Sequence, residues 1–283
     1  MENKEVSTTK RQESKKLGDL MRSPAIVGRL NDVWSSPQMA NSFISSVISV
    51  ANGNPQLRNA EPMSIIGSAM VAATMQLQVI PTLGQCYIIP YKGKAQFQVG
   101  YLGLLQLCQR SGQFKKILAA PVHEGEYISG DEFDENYVFD KKQKKSDKIV
   151  GYMAKFELLN GFTKVAYWDI DRVKAHANKF SEAFRAGKNT PWKTDFDAMA
   201  LKTVLKSILK FAPKSVEMQS AMTFDQSVVN TNVCDVQDLD IDSFAPEYID
   251  NAEIEDDLTA KAAKAAKENA KTNKPNYFQD HIR

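Results

Sequence analysis

The apolar positions of this chain recur at helical spacing toward its ends and at period two through its middle. Between residues 17 and 34, Leu17, Leu20, Met21, Ala25, Ile26, Leu30 and Val33 form a helical stripe interrupted near Pro24. Ser36-Pro37 supplies an N-cap and a first helical position for a second helix, which runs to about Ala51 and stops at Asn52-Gly53. Glu61-Pro62 opens a third, with Ile65, Ile66, Ala69, Met70, Ala73 and Leu77 on its buried face. After Pro81 the period shortens. Residues 86–91 and 95–101 read as two strands joined across Lys92-Gly93-Lys94, with Ala95, Phe97 and Val99 facing one way and Gln96 and Gln98 the other. A helix from Leu102 to Arg110, stopped at Ser111-Gly112, and a short strand over 116–122 follow.

Residues 124–148 are a charged excursion, acidic first and basic afterwards. A second hairpin, 149–159 with 162–168, turns at Asn160-Gly161. Asp169 caps a helix to about Phe180, and a loop holding Gly187 and Pro191 leads to Thr194. With an acid three residues on, Thr194 reads as a capping box opening a helix to about Phe211. Beyond Ser220 the pattern predicts loop, apart from a helix over 254–271 with acids first and lysines last. This order predicts an α+β fold, a compact core of two β-hairpins packed with helices over 61–220. An N-terminal helical arm (1–60) precedes it, and an acidic, mostly disordered tail (221–283) follows.

Composition narrows the classes. The 283 residues are ample for a buried core. The polar, charged N-terminus lacks the apolar run of a secretory signal, and no stretch reaches the ~18 apolar residues of a membrane span. Cys86, Cys108 and Cys234 lack paired spacing, which argues against disulfides and zinc and for a reducing compartment. A soluble cytoplasmic protein is expected. The net charge of +2 is uneven: residues 61–222 carry 22 Lys/Arg and 16 Asp/Glu, whereas residues 223–283 carry 6 and 13. A basic middle with an acidic tail fits polyanion binding, and it fits a merely solubilising tail equally well.

No Gly-x-Ser-x-Gly, P-loop or Gly-x-Gly-x-x-Gly is present, and His123, His176 and His281 have no partners at ligand spacing. Asp195 and Asp197, with Glu157, offer a metal-dependent nuclease as an alternative; acids in a first helical turn are also what the helix dipole favours. On the following helix Lys202, Lys206 and Lys210 fall at successive i+4 steps beside Thr203 and Ser207. Together they cover about 12 Å of helix, a spacing suited to consecutive phosphates or simply to a solvated face. In the first hairpin and its helix, Tyr87, Tyr91, Lys92, Lys94, Gln96, Gln98, Tyr101, Gln109 and Arg110 interleave cations, amides and rings, as a groove tracking a nucleic-acid backbone requires. Trp168 and Trp192 serve as base-stacking platforms or as core packing, and the run 141–148 as a phosphate contact or a loop.

Three strings carry a resemblance. Glu61-Pro62-Met63-Ser64-Ile65-Ile66 with Ala69-Met70-Val71-Ala72-Ala73-Thr74, then Ala95-Gln96-Phe97-Gln98-Val99-Gly100-Tyr101 with Gln109-Arg110-Ser111-Gly112, and Asp197-Ala198-Met199-Ala200-Leu201-Lys202-Thr203-Val204-Leu205 resemble the RecT single-strand annealing proteins of phages and prophages, over about residues 60–220. The resemblance implies ATP-independent binding of single-stranded DNA and its annealing to a complementary strand in homologous recombination. It implies rings or helical filaments, with the N-terminal helices joining subunits, and action beside a phage exonuclease; the acidic tail then recruits that exonuclease or a host single-strand-binding protein, or keeps the groove from self-occupation, a choice the resemblance leaves open. It implies no catalytic residue and no cofactor, beyond modulation by Mg²⁺. Under it Lys202, Lys206 and Arg110 are the main phosphate anchors; Lys94, Gln96, Gln98, Thr203 and Ser207 position the backbone, and Lys92, Tyr101, Gln109, Trp192 and Lys210 complete the DNA contact. A passive single-strand coat is the alternative that needs the same groove.

Overall fold

The computed structural model describes residues 17–231 and 235–248; Cys234, the expected helix over 254–271 and most of the expected acidic tail lie outside the described residues. Helices α1 (Leu17–Met21) and α2 (Pro24–Val33) divide at Ser23, whose hydroxyl accepts from the Ile26 N–H at 3.5 Å, so the expected interruption is a new helix start. Ser36 caps α3 (Pro37–Gly53) in the same way, accepting from the Met39 N–H. A single turn, α4 (Pro55–Arg58), is capped by Asn54. Met21, Ile26, Leu30, Phe43, Ile44 and Val47 are buried in the same cluster as the sheet and the central helices.

Helix α5 (Pro62–Thr74) was expected to bury one face, yet every residue from Ser64 to Ala73 is buried. Its small residues allow this. At Gly67 an added Cβ would come within 2.9 Å of Thr231 and 3.2 Å of Val229, so the C-terminal strand lies directly against the helix. Strands β1 (Cys86–Tyr91) and β2 (Lys94–Val99) form the expected hairpin, with Ile88 opposite Phe97 and Tyr91 opposite Lys94. The second strand stops at Val99 because Gly100 turns the chain into α6 (Tyr101–Arg110); a Cβ on Gly100 would sit 2.0 Å from the Gly84 carbonyl oxygen.

The second hairpin, β6 (Ile149–Leu158) with β7 (Thr163–Asp169), turns at Asn160-Gly161 as expected. It is joined by β3 (Phe114–His123), longer than predicted, to give an antiparallel sheet of order β3-β6-β7. The charged excursion folds into a short ribbon, β4 (Tyr127–Ser129) with β5 (Val138–Phe139), and stacks the Tyr127 ring on Tyr167 at 4.9 Å. Helix α7 (Ile170–Phe180) is capped by Asp169 as expected. The segment read as loop contains α8 (Glu182–Arg185) and α9 (Pro191–Thr194). Helix α10 (Phe196–Leu209) is capped by Asp195, which accepts from the Ala198 N–H at 3.3 Å; the Thr194 hydroxyl donates to the Thr190 carbonyl instead, so the expected capping box does not form.

The largest departure lies beyond residue 215. Helix α11 (Val216–Phe224) crosses the expected boundary at 220, and β8 (Ser227–Asn230) and β9 (Ala245–Glu247) complete a sheet of order β1-β2-β8-β9. The apolar run Ser227–Val229 is fully buried, and that burial draws this segment into the core. The α+β class stands, with the two hairpins built out into sheets of four and three strands beside the two-stranded ribbon. Among the described residues no helix is long and apolar enough to cross a membrane.

Candidate nucleic-acid interface

Helix α10 packs on the three-stranded sheet, against α6 and α9, and carries the expected lysine series along one edge. The wheel places Leu201, Val204, Leu205 and Ile208 toward the core, and all four are buried. The opposite arc is not uniformly solvated. Lys202 is 4% exposed, Lys206 31%, and Lys210 stands in solvent. Asp225, at the turn between α11 and β8, reaches under both covered lysines. Its two carboxylate oxygens accept from Lys202 Nζ at 2.7 Å and Lys206 Nζ at 2.6 Å, and one of them also accepts from the Val99 N–H at 3.1 Å.

The electrostatics follow from burial. Desolvation pulls the Lys202 ammonium down to about 8, with Asp225 opposing that pull. Burial pushes the Asp225 carboxyl upward; the two lysine charges outweigh it and hold the group below its ordinary value. Two ammoniums on one carboxylate leave a surplus of one positive charge, carried toward solvent by Lys206. Nearby, His176 sits within a cage of Trp168, Phe180 and Trp192 rings. Burial, reinforced by the charges of Lys206, Lys210 and Lys179, brings the imidazole down to about 4.

A cavity of about 340 Å³ opens beside this centre, between the first hairpin, the start of α6 and the α9–α10 junction. Tyr87, Gln98, Tyr101 and Lys202 line it together with Asn54 and Asp195. Gln98 is 6% exposed, so the sheet face expected to be solvated is roofed by α10; its amide donates to the Met199 sulfur at 3.3 Å.

The other expected contacts are spread more widely. Lys92 sits in the hairpin turn, its ammonium 5.1 Å from the centre of the Tyr91 ring, and Lys94 pairs with Glu247 at 3.4 Å. The Gln96 amide donates to the Gln226 carbonyl, stitching β2 to the segment entering β8. Arg110 donates to the Met75 carbonyl at 2.7 Å, pinning the end of α5, while Gln109 is exposed on the same helix. Thr203 and Ser207 turn their hydroxyls onto helix carbonyls. Trp192 is 6% exposed and packed against Phe184 and Phe196, the core alternative weighed for it. The Gly100 N–H donates to the Gln85 carbonyl and is already engaged.

The nuclease set is not assembled. Asp195 caps α10, Asp197 accepts from the Tyr152 hydroxyl at 2.5 Å, and Glu157 pairs with Lys115 on the three-stranded sheet. Among the described residues no three His, Cys, Asp or Glu side chains stand together as metal ligands. The Cys108 thiol is buried, which pushes it up to about 12, and Cys86 is driven higher by the same cause.

The sequence model of the RecT family matches residues 41–238, most of the chain. The chain belongs to the RecT family. It is 42% identical over 223 residues to the uncharacterized protein YqaK of Bacillus subtilis strain 168, covering 78% of this chain and 76% of that protein. It is 27% identical over 181 residues to protein RecT of Escherichia coli strain K12, covering 61% of this chain and 66% of that protein. Membership supports a role in recombination by single-strand annealing. The RecT match runs from α3 to beyond β8, wider than the stretch of about 60–220 on which the resemblance rested, and so includes Asp225. That residue was counted among the tail acids. It is the only charged residue between Glu217 and Asp235, a lone acid in an otherwise uncharged stretch, and that isolation was the signal for a buried counter-ion.

Proposed function

We propose that this RecT-family protein binds single-stranded DNA by its phosphates and anneals it to a complementary strand without ATP. The carrying observation is the surplus charge on Asp225, where Lys206 is held at 2.6 Å with its ammonium partly open to water. A cation fixed in this way contacts a phosphate at less entropic cost than a free surface lysine. The backbone path runs from the hairpin lysines, Lys92 and Lys94, along α10 to Lys206 and Lys210. Lys202 supports the path from below. Phosphate contacts leave base edges open, and base pairing then supplies the discrimination, so annealing needs no bond-making residue.

In this reading the protein acts as an oligomer or filament, the exposed faces of α1–α3 joining subunits, so that many sites engage one strand cooperatively. An exonuclease supplying single strands and a host single-strand-binding protein are the partners such a reaction calls for. The test mixes two complementary dye-labelled oligonucleotides with the protein in the absence of ATP and follows pairing by fluorescence transfer, with strand length checked on a denaturing gel. Accelerated pairing of intact strands is expected. Tight binding without acceleration would reduce the function to a passive coat, and shortened strands would overturn the reading.

A further inference from the structure

The cavity beside the cationic centre has the properties of a site for a flat, partly apolar ligand. Its volume, about 340 Å³, lies within the range of small-molecule sites, roughly 300–1,000 Å³. Its walls include the Tyr87 and Tyr101 rings, Ile89, Pro90, Pro191 and Met199. One buried amide, Gln98, opens into it with only a thioether sulfur to receive its N–H, and sulfur is a weak acceptor. A buried carboxamide so poorly matched is stabilised by any ligand offering a ring nitrogen or carbonyl oxygen. Lys202 lines the same cavity and shares Asp225 with Lys206, one helical turn along α10. A group seated here therefore lies next to the proposed phosphate path.

We propose that this cavity takes a single unpaired nucleobase of the bound strand, its edge on the Gln98 carboxamide and its face against the tyrosine rings. The inference rests on the single-strand-binding reading and names a second grip beyond the phosphates. Stacking on aromatic side chains is worth roughly 5- to 150-fold in affinity per base and tolerates any sequence, because every base has a π face. One base withdrawn from the stack would also hold the strand in register while its neighbours stay open for pairing.

The test compares two probes of equal length and charge, a thymidine oligonucleotide and one carrying abasic residues throughout, each titrated with the full chain at fixed salt. The base-bearing strand is expected to bind about tenfold more tightly, the lower end of the stacking range. Ala198→Phe, which fills the cavity from α10, should erase most of that preference and leave abasic binding unchanged, and Gln98→Met, which keeps its volume and removes the amide, should erase most of the preference too. Equal affinity of the unmodified protein for the two probes overturns the nucleobase site and leaves the phosphate path standing. Failure to bind either probe overturns the single-strand reading itself. Should Ala198→Phe fail to fold, Gln98→Met decides alone: an undiminished preference in that variant rejects the site.

Discussion

Asp225→Asn isolates the buried charge without changing its shape. The asparagine oxygen still accepts from the Val99 N–H, but the second oxygen becomes an NH₂ facing Lys206, and Lys202 is left as a buried cation with no counter-charge. The Lys202 share has a ceiling. Its ammonium is already pulled down to about 8, so giving up the proton at pH 7 costs on the order of 1 kcal/mol, and the lysine escapes any larger penalty by becoming neutral. The lost contact to Lys206 adds about 1–2 kcal/mol, moderated because that ammonium can turn to water. The expected loss at pH 7 is about 2–3 kcal/mol. At pH 9 Lys202 is mostly neutral in the unmodified protein too, so its share vanishes and the substitution should cost about 1 kcal/mol less. Urea denaturation followed by tryptophan fluorescence at the two pH values reads this difference. A cost that does not change with pH would refute a charged, buried Lys202, and a cost below about 1 kcal/mol would refute the buried ion cluster altogether.

Lys206→Ala should weaken binding to single strands of every sequence and reduce the log–log salt slope by about 0.7; an unchanged slope removes it from the phosphate path. Arg110→Ala should lower stability by about 1–2 kcal/mol through the lost bond to the Met75 carbonyl, seen as a lower urea midpoint; weaker DNA binding at undiminished stability would make it a phosphate anchor instead. His176 takes its proton near 6.5 in the unfolded chain and near 4 in the folded one, so stability should rise with pH through that window; His176→Gln should flatten this part of the profile in urea midpoints taken at pH 4.5 and 6.5. Deleting residues 1–53 should unfold the protein, since Phe43, Ile44 and Val47 are core; a truncated chain with a cooperative melt would restore the separable arm.

The hairpins, their turns and most helix starts could be read from the sequence because they depend on neighbours a few residues apart. Asn160-Gly161, Ser36-Pro37 and Asp169 act locally, and the structure agrees at each. What escaped was long-range cover. The wheel of α10 correctly separated leucines from lysines, yet one edge of a helix reads the same whether water or a distant strand lies over it. Asp225, at the turn into β8, reaches that edge, and the acid content of the whole tail masked the short buried run Ser227–Val229 beside it. The same blindness made Gln98 a surface residue, when Met199 of α10 lies over it, and gave no sign that Arg110 reaches the Met75 carbonyl. The cavity joins four separated stretches of chain, and no spacing rule could have assembled it.

The strand order β1-β2-β8-β9 also sets a timetable. During synthesis residues 86–99 leave the ribosome long before residues 227–247, so the first sheet exists as a bare hairpin while most of the chain is still being made. Over that interval α5 lacks the strand that closes against Gly67, and Lys202 waits in water for its counter-ion. Closure over such a sequence distance is slow and comes as a late event. A chain ending just before Asp225 therefore has both hairpins and α10 in its sequence and lacks the strand that closes on Gly67 and the counter-ion of Lys202.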